Sequence, residues 1–367
     1  MIASDVCEQA IAAERRGDLD QAERWYRQAA EWFARAAERG NAGAMYNLGF
    51  IREDQGDHDA ARELWERAVE RGHPHAASRL GVLHLRQQRH DAGVVWLRRA
   101  VEEFDDRAAT ATLAGFYAHV GDTDRARFWR ELPTGLRAYS QQFEAFAADV
   151  AAAAIHRQWV LDKALGDGDV RYDLDARTWA TGGRVLHGLT SLGSFSRLDR
   201  SWLWTWHNDG FGADHPTVAP LLALRDHGRE HDIPELTVGR LELGGFPDPE
   251  QAATTLAILA ASVLGGNGVR ACAINGGDGM SYFHLDDPQL PVATFDVATA
   301  ADAVLNAIAV FPADPKRVVR GFISHYGEGI LIGPDTIVGR FAGGHRLKAA
   351  FTPEGAVTVV SAESAAG

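Results

Sequence analysis

"LGFIREDQGDHDAARELWERA", Leu48 to Ala68, joins two amphipathic segments through Gly56-Asp57, and its parts recur along the first third of the chain. Leu48-Gly49 returns after 32 residues as Leu80-Gly81 and after 33 more as Leu113-Ala114, and Ala44, Ala76 or Ala109 precedes each by four positions. The second segment returns too. "HDAARELWERAVERG" from His58 superposes on "HDAGVVWLRRAVEE" from His90, with Ala68 on Ala100, and "TDRARFWRELP" from Thr123 repeats its start. A fixed period in the thirties made of two amphipathic halves predicts stacked helical hairpins. Gly49, Ala61 and Ala68 let neighbouring helices approach, while Leu48 and Trp65 fill the space between them.

The order and spacing of Leu48, Gly49, Ala61, Trp65 and Ala68 resembles the tetratricopeptide repeat family, including its SEL-like relatives, over roughly residues 4 to 133. The first unit keeps Ala10, Ala22, Tyr26 and Ala29, then "EWFARAA" adds two helical turns, and Pro133 stops the last unit. The resemblance implies an all-α solenoid that binds proteins or peptides on its concave side. By that analogy Tyr46, Asn47, Phe50, Ser78, Arg79 and Val82 line the inner surface as partner-binding residues. Asn47 and Arg79 match positions with which a subset of the family grips a C-terminal carboxylate, and the rest of the groove reads as small and apolar.

After Pro133 the pattern changes. "TGLRAYSQ" reads as a short polar joint, and Phe143, Phe146, Val150, Ala154 and Trp159 then follow helical spacing to Lys163. Strand-like runs come next: "VRYDLD", "RVLHGLTSLGSF" and "SWLWTWHN". "HPTVAPLLALRDHG" and "PDPEQAATTLAILAASVLG" read as helices, the second with Asp248 as N-cap and Pro249 in the first turn. "VRACAINGGDGMSYFHL" reads as a hairpin. After a helix near 298 to 310, "GFISHYGEGILIG", "TIVGRF" and "RLKAAFTPEGAVTVV" read as turns and strands. The chain is therefore expected to be multidomain: a helical-hairpin solenoid over 1–133, then an α+β domain with antiparallel sheet over 140–367, divisible into a 140–290 core and a β-rich 291–367 extension.

"SLGSFS" followed by "SWLWTWHN" also resembles a bacterial family without assigned function, marked by a Gly-Ser strand and then a Trp-Leu-Trp-Ala-Trp-Ala-Asn strand, over about residues 140 to 290. Thr205 and His207 stand here where that family usually has alanines. Trp202, Trp204 and Trp206 alternate, so a strand would send all three indoles to one face. Burying an indole removes on the order of 200 Å² from water at about 25 cal/mol per Å², which favours a core over an exposed stacking platform.

Candidate chemistry lies at strand ends. His207 and Asp209 close the tryptophan run, and "YFHLDD" places His284 and Asp286 on one face of another strand. If the two ends meet, these four could form a metal or general-base cluster. No nucleophile elbow, phosphate loop or zinc-protease helix occurs; "GGNG" and "NGGDG" lack the Gly-Lys-Ser/Thr ending and read as turns, so neither a cofactor nor a resident metal is expected.

The net charge of -13 and the pI near 5.6 argue against phosphate neutralisation and hence against nucleic acid. Cys7 and Cys272 are far apart and build no disulfide framework, which suits a reducing cytoplasm. The N-terminus is charged too early for a secretory signal, and "TTLAILAASVLGG" falls short of the roughly 20 residues needed to cross a membrane. Abundant arginine and alanine suggest a GC-rich bacterial genome. The leading expectation is a cytoplasmic interaction protein whose array recruits a partner while the α+β domain binds a further ligand or protein. A hydrolase-like enzyme using the His/Asp residues is the competing class, and an immunity or stress-associated binder the third.

Overall fold

The computed structural model describes residues 18–166, 168–212 and 214–364, with Gln9, Ala12, Arg15 and Arg16; Cys7, Ala10 and the side chain of Ala22 lie outside the described residues. The chain divides into two compact units, Met1–Arg130 and Glu131–Gly367.

The first unit is a run of antiparallel helices: α1 (Leu19–Glu38), α2 (Ala42–Asp54), α3 (His58–Glu70), α4 (Ala76–Arg86), α5 (His90–Phe104), α6 (Arg107–His119) and α7 (Thr123–Glu131). Its starts are local. Asn41, Asp57 and Asp106 each accept a backbone N–H of the following first turn, satisfying donors that a helix leaves unpaired. The two turns added by "EWFARAA" simply prolong α1. Between hairpin partners α2 and α3, Trp65 is fully buried, and its Nε1 donates to the Tyr46 carbonyl at 3.0 Å. A Cβ on Gly49 would overlap that indole, and one on Gly81 would stand 2.5 Å from Leu97 Cγ, so the repeating glycine is a steric requirement of the hairpin.

The second unit opens earlier than the composition suggests. The segment read as a polar joint is packed: Leu136 is fully buried, Tyr139 nearly so, and the Leu136 N–H donates to Glu242 O at 2.7 Å. Its apolar side chains, diluted among Thr134, Gly135 and Arg137, carry no periodic signal. Helix α8 (Gln141–Leu165) follows, capped by Ser140, whose Oγ accepts from Phe143 N.

Among the described residues, three antiparallel sheets follow. The first is β1 (Val170–Asp173), β2 (Thr178–Thr181) and β3 (Arg184–Leu186) in sequence order. The central sheet contains β4 (Thr190–Ser196), β5 (Ser201–Trp204), β6 (Arg240–Glu242), β7 (Gly268–Ile274) and β8 (Gly279–Leu285), in the order β6-β5-β4-β8-β7. Between them run α9 (Ala219–Glu230) and α10 (Pro249–Leu264), the latter with the expected Asp248 cap. After α11 (Ala300–Val310) and α12 (Pro315–Tyr326), the last sheet is β12-β11-β10-β9, from β9 (Gly329–Ile332), β10 (Thr336–Arg340), β11 (Arg346–Phe351) and β12 (Val357–Glu363). Helix α12 corrects the strand reading of "GFISHY". Asp314 caps it, Pro315 opens it, and Val318, Val319, Phe322 and Ile323 form one buried helical stripe.

The central sheet is covered on both faces. In the β4 register, Gly193 stands opposite Trp204 on one side and Tyr282 on the other, so these share a face with Trp202 and Phe195. On that face the Tyr282 hydroxyl meets Thr254 of α10 at 2.9 Å. On the opposite face Phe283 packs on Trp179 of β2 at 5.8 Å between ring centroids. Trp202 and Trp204 are wholly buried, in edge contact at 5.0 Å. The strand ends at Trp204, one residue pair short of the expectation, and Trp206 sits in a 3-10 turn over Thr205–His207. That turn still stacks Trp206 on Trp204 at 4.6 Å and 10°. The Gly-Ser strand and the tryptophan strand are thus one packing device: a Cβ on Gly193 would lie 2.7 Å from Trp202 Cζ2 and 2.5 Å from Leu203 O.

Helix α8 is the spine of the unit. Its alanines from Ala151 to Ala154 are all buried, and it packs on α10, α11, α12 and β7. A Cβ on Gly321 of α12 would overlap the Asp149 backbone of α8, while Arg317 pairs with the Asp149 carboxylate through both oxygens, at 2.7 and 2.5 Å.

Gly193→Ala and Gly321→Ala should each lower unfolding free energy by about 1–3 kcal/mol, as overpacking does, and Trp204→Ala by about 3–5 kcal/mol, read by urea titration. A fragment of residues 131–367 should fold with a higher melting temperature than one of 140–367, because the shorter piece lacks Leu136 and Tyr139. Equal melting would contradict the packed role of 131–139.

Candidate partner-binding site

Stacking hairpins one repeat apart brings α2 against α4, and that juxtaposition builds the site. Tyr46 lies flat on His73 of the α3–α4 loop, with centroids 4.2 Å apart at 20°, and meets Phe50 edge-on at 5.0 Å. Phe50 in turn packs edge-on against buried Trp65 at 5.6 Å. Above it the Arg79 guanidinium is 4.3 Å from the ring centroid, a cation–π contact across adjacent repeats. Tyr46, Phe50 and Arg79 are all half-buried, so one surface of the cluster faces solvent while its base joins the core.

The other three predicted contact residues are placed differently. Asn47 is exposed on α2, and Val82 is half-buried on α4. The Ser78 hydroxyl donates to the His75 carbonyl at 2.9 Å, so it is engaged at the start of its own helix. The groove is also more polar than expected. Beside Phe50 a cleft of about 440 Å³ is lined by Glu53, Asp54, His58, Leu83, Arg86 and Gln87. One repeat on, a second of about 470 Å³ is lined by Arg86, His90, Thr112, Phe116 and His119 among others. Arg86 lines both, and its Nη1 pairs with Glu53 at 3.0 Å. His73, Glu53 and Arg86 escaped the sequence reading: His73 is in a loop with no periodicity, and the other two lie a turn beyond the aligned positions.

In the second unit, β5 and β8 flank β4, and His207 and His284 lie at the same end of the sheet. His284 is buried, with Nε2 3.0 Å from the Gly265 carbonyl. His207 packs over Gly239, where a Cβ would overlap its ring, and Asp209 and Asp286 are exposed. Among the described residues no group of three or more His, Cys, Asp or Glu is arranged to hold a metal ion. Cys272 is a half-buried free thiol. Elsewhere in this unit a cavity of about 650 Å³ opens where the first turns of α8, α10 and α12 converge, lined by Tyr139, Ala145, Phe246, Phe311, Glu144 and Asp248 among others.

An array of helical hairpins with a groove on its first helices is the architecture of a protein-interaction module. Residues 7–28, 42–67 and 74–99 match the tetratricopeptide repeat model, and residues 144–288 match that of a family of unknown function, DUF6882. The first unit therefore carries tetratricopeptide repeats, which support a protein-interaction role, and the second carries a DUF6882 match. Comparison with curated proteins gave no match. Among the described residues no helix is long and apolar enough to cross a membrane.

Burial holds the pKa of His73, His84, His156, His227, His284 and His325 below the ordinary histidine value. Such groups bind protons more readily once unfolded, so the stability they contribute is full above about pH 6.5 and is lost as pH falls below it. The melting temperature should drop between pH 7.5 and 5.5, before most carboxylates titrate; a flat profile there would contradict the burial of these imidazoles.

Proposed function

We propose that this chain is an adaptor that takes a segment of a partner protein along the first-helix groove of its array, joined in one chain to an α+β domain with a binding role of its own. The observation that carries the proposal is the Tyr46–Phe50–Arg79 cluster, half-open to solvent and continuous with two clefts one repeat apart. Aromatic and arginine side chains on a rigid base are the groups that dominate interface energetics. The mixed charge of the clefts, Arg86 facing Glu53 and Asp54, favours a partner segment with an apolar anchor and polar flanks over a purely acidic tail.

The apolar cavity among the first turns of α8, α10 and α12 gives the second unit a place for a ligand of drug-like size, since such pockets run to about 300–1,000 Å³. The His207, Asp209, His284 and Asp286 alternative has less support, because His284 is already engaged with the Gly265 carbonyl.

The test is crosslinked capture from the native host with the full chain and with Tyr46→Ala, Arg79→Ala and Phe50→Leu, the last retaining an apolar contact on Trp65. Because Arg79 rests on Phe50, aromatic and charged variants should act alike, with Tyr46→Ala and Arg79→Ala each weakening capture about tenfold, a cation–π-sized effect. Normal capture by both folded variants would exclude this groove.

A further inference from the structure

Among the described residues, the three sheets have six edge strands: β1, β3, β6, β7, β9 and β12. Sheet edges invite pairing with another chain, and proteins commonly blunt them with charge or proline. Five of the six carry a charged residue within the strand: Arg171 and Asp173 in β1, Arg184 in β3, Arg240 and Glu242 in β6, Arg270 in β7 and Glu363 in β12. Strand β9 carries none. It reads Gly329-Ile330-Leu331-Ile332, and its aliphatic side chains are 39%, 61% and 61% exposed.

Register fixes which backbone groups are available. Gly333 N donates to Thr336 O at 2.7 Å, and β9 continues with Ile332 opposite Ile337 and Leu331 opposite Val338. Hydrogen-bonded and non-bonded pairs alternate along an antiparallel ladder, so Leu331 points its backbone groups at β10 while Ile330 and Ile332 point theirs outward. The sequence is also a palindrome, Gly329-Ile330-Leu331-Ile332-Gly333.

We propose that β9 is a homodimerisation edge, occupied by β9 of a second copy of this chain running antiparallel about a two-fold axis through Leu331. The palindrome and the ladder phase meet in this one arrangement. Ile330 of each copy pairs with Ile332 of the other, forming four backbone hydrogen bonds, Leu331 faces its counterpart, and each Gly329 lies opposite a Gly333. Charge agrees as well. The Arg340 guanidinium lies over Gly329, with Nη2 3.1 Å from the site a Cβ would take, which in the pair is the level of the turn carrying exposed Asp335 of the second copy. An isologous contact of this kind closes on itself and leads to dimers, not fibres. A five-residue strand buries less than the roughly 1,200–2,000 Å² of a stable interface, so the dimer is weak and concentration-dependent.

The test uses the full chain. Sedimentation velocity from about 1 to 300 µM, the range in which weak dimers form, should show the mass rising toward that of a dimer. Leu331→Lys and Ile332→Lys, at exposed positions, should stay monomeric with unchanged circular dichroism and melting. In the pair the two Leu331 Cα atoms are about 4.5 Å apart, within disulfide reach. Leu331→Cys should therefore form a covalent dimer with oxidised glutathione, and Val359→Cys on the opposite edge should not. The proposal is overturned by a monomer at every concentration, by a dimer that survives both lysine variants, or by Leu331→Cys crosslinking no faster than Val359→Cys.

Discussion

The second unit depends on a carboxylate with no access to water. Glu235 is fully buried, and an unpaired charge there would cost several kcal/mol. Its oxygens accept from Ser140 N at 2.6 Å and Ser140 Oγ at 2.8 Å, and its own carbonyl accepts from Trp204 Nε1 at 3.0 Å. One residue in a short 3-10 turn thereby ties the N-cap of α8 to Trp204, the last residue of β5. Beside it the Tyr139 hydroxyl, donating to Ala252 O at 2.6 Å, is held well above the ordinary tyrosine range by burial and by the Glu235 charge. The spine helix, the central sheet and α10 are joined at this point, which explains why residues before α8 belong to the second unit.

From that anchor both units use the same packing rule: a large aromatic or helix backbone is admitted because its neighbour is glycine. Gly49 under Trp65 sets the hairpin spacing of the array, Gly193 under Trp202 sets the sheet, and Gly321 against Asp149 sets α12 on α8. The functional surfaces are what this packing leaves over. In the array it leaves the outer sides of Tyr46, Phe50 and Arg79, and in the last sheet it leaves β9.

The array was legible because a period of 32 to 33 residues repeats both its small and its large side chains. The tryptophan strand was legible as core from alternation and area alone, although its last indole lies in a turn that alternation cannot foresee. Helix α12 was misread because Gly321 and Gly327 punctuate it like a strand and turn; yet Asp314-Pro315 repeats the Asp248-Pro249 start that correctly announced α10. Two site-defining features had no local signal. Glu235 within "DIPELT" looks like an exposed turn acid, and its burial follows only from the tertiary position of Ser140. His73 reaches Tyr46 only because repeats stack, and long-range adjacency of that kind is not encoded in spacing along one helix.

The organising role of the buried carboxylate is tested most directly by a double-mutant cycle of Glu235→Gln and Ser140→Ala in the full chain, measured by urea unfolding of the second unit. Hydrogen bonds to a buried charge predict a coupling energy of about 1.5–3 kcal/mol, with each single change strongly destabilising and the double little worse than the worse single. Additive effects, with coupling below about 0.5 kcal/mol, would contradict the account and show that the helix and the sheet are held together elsewhere.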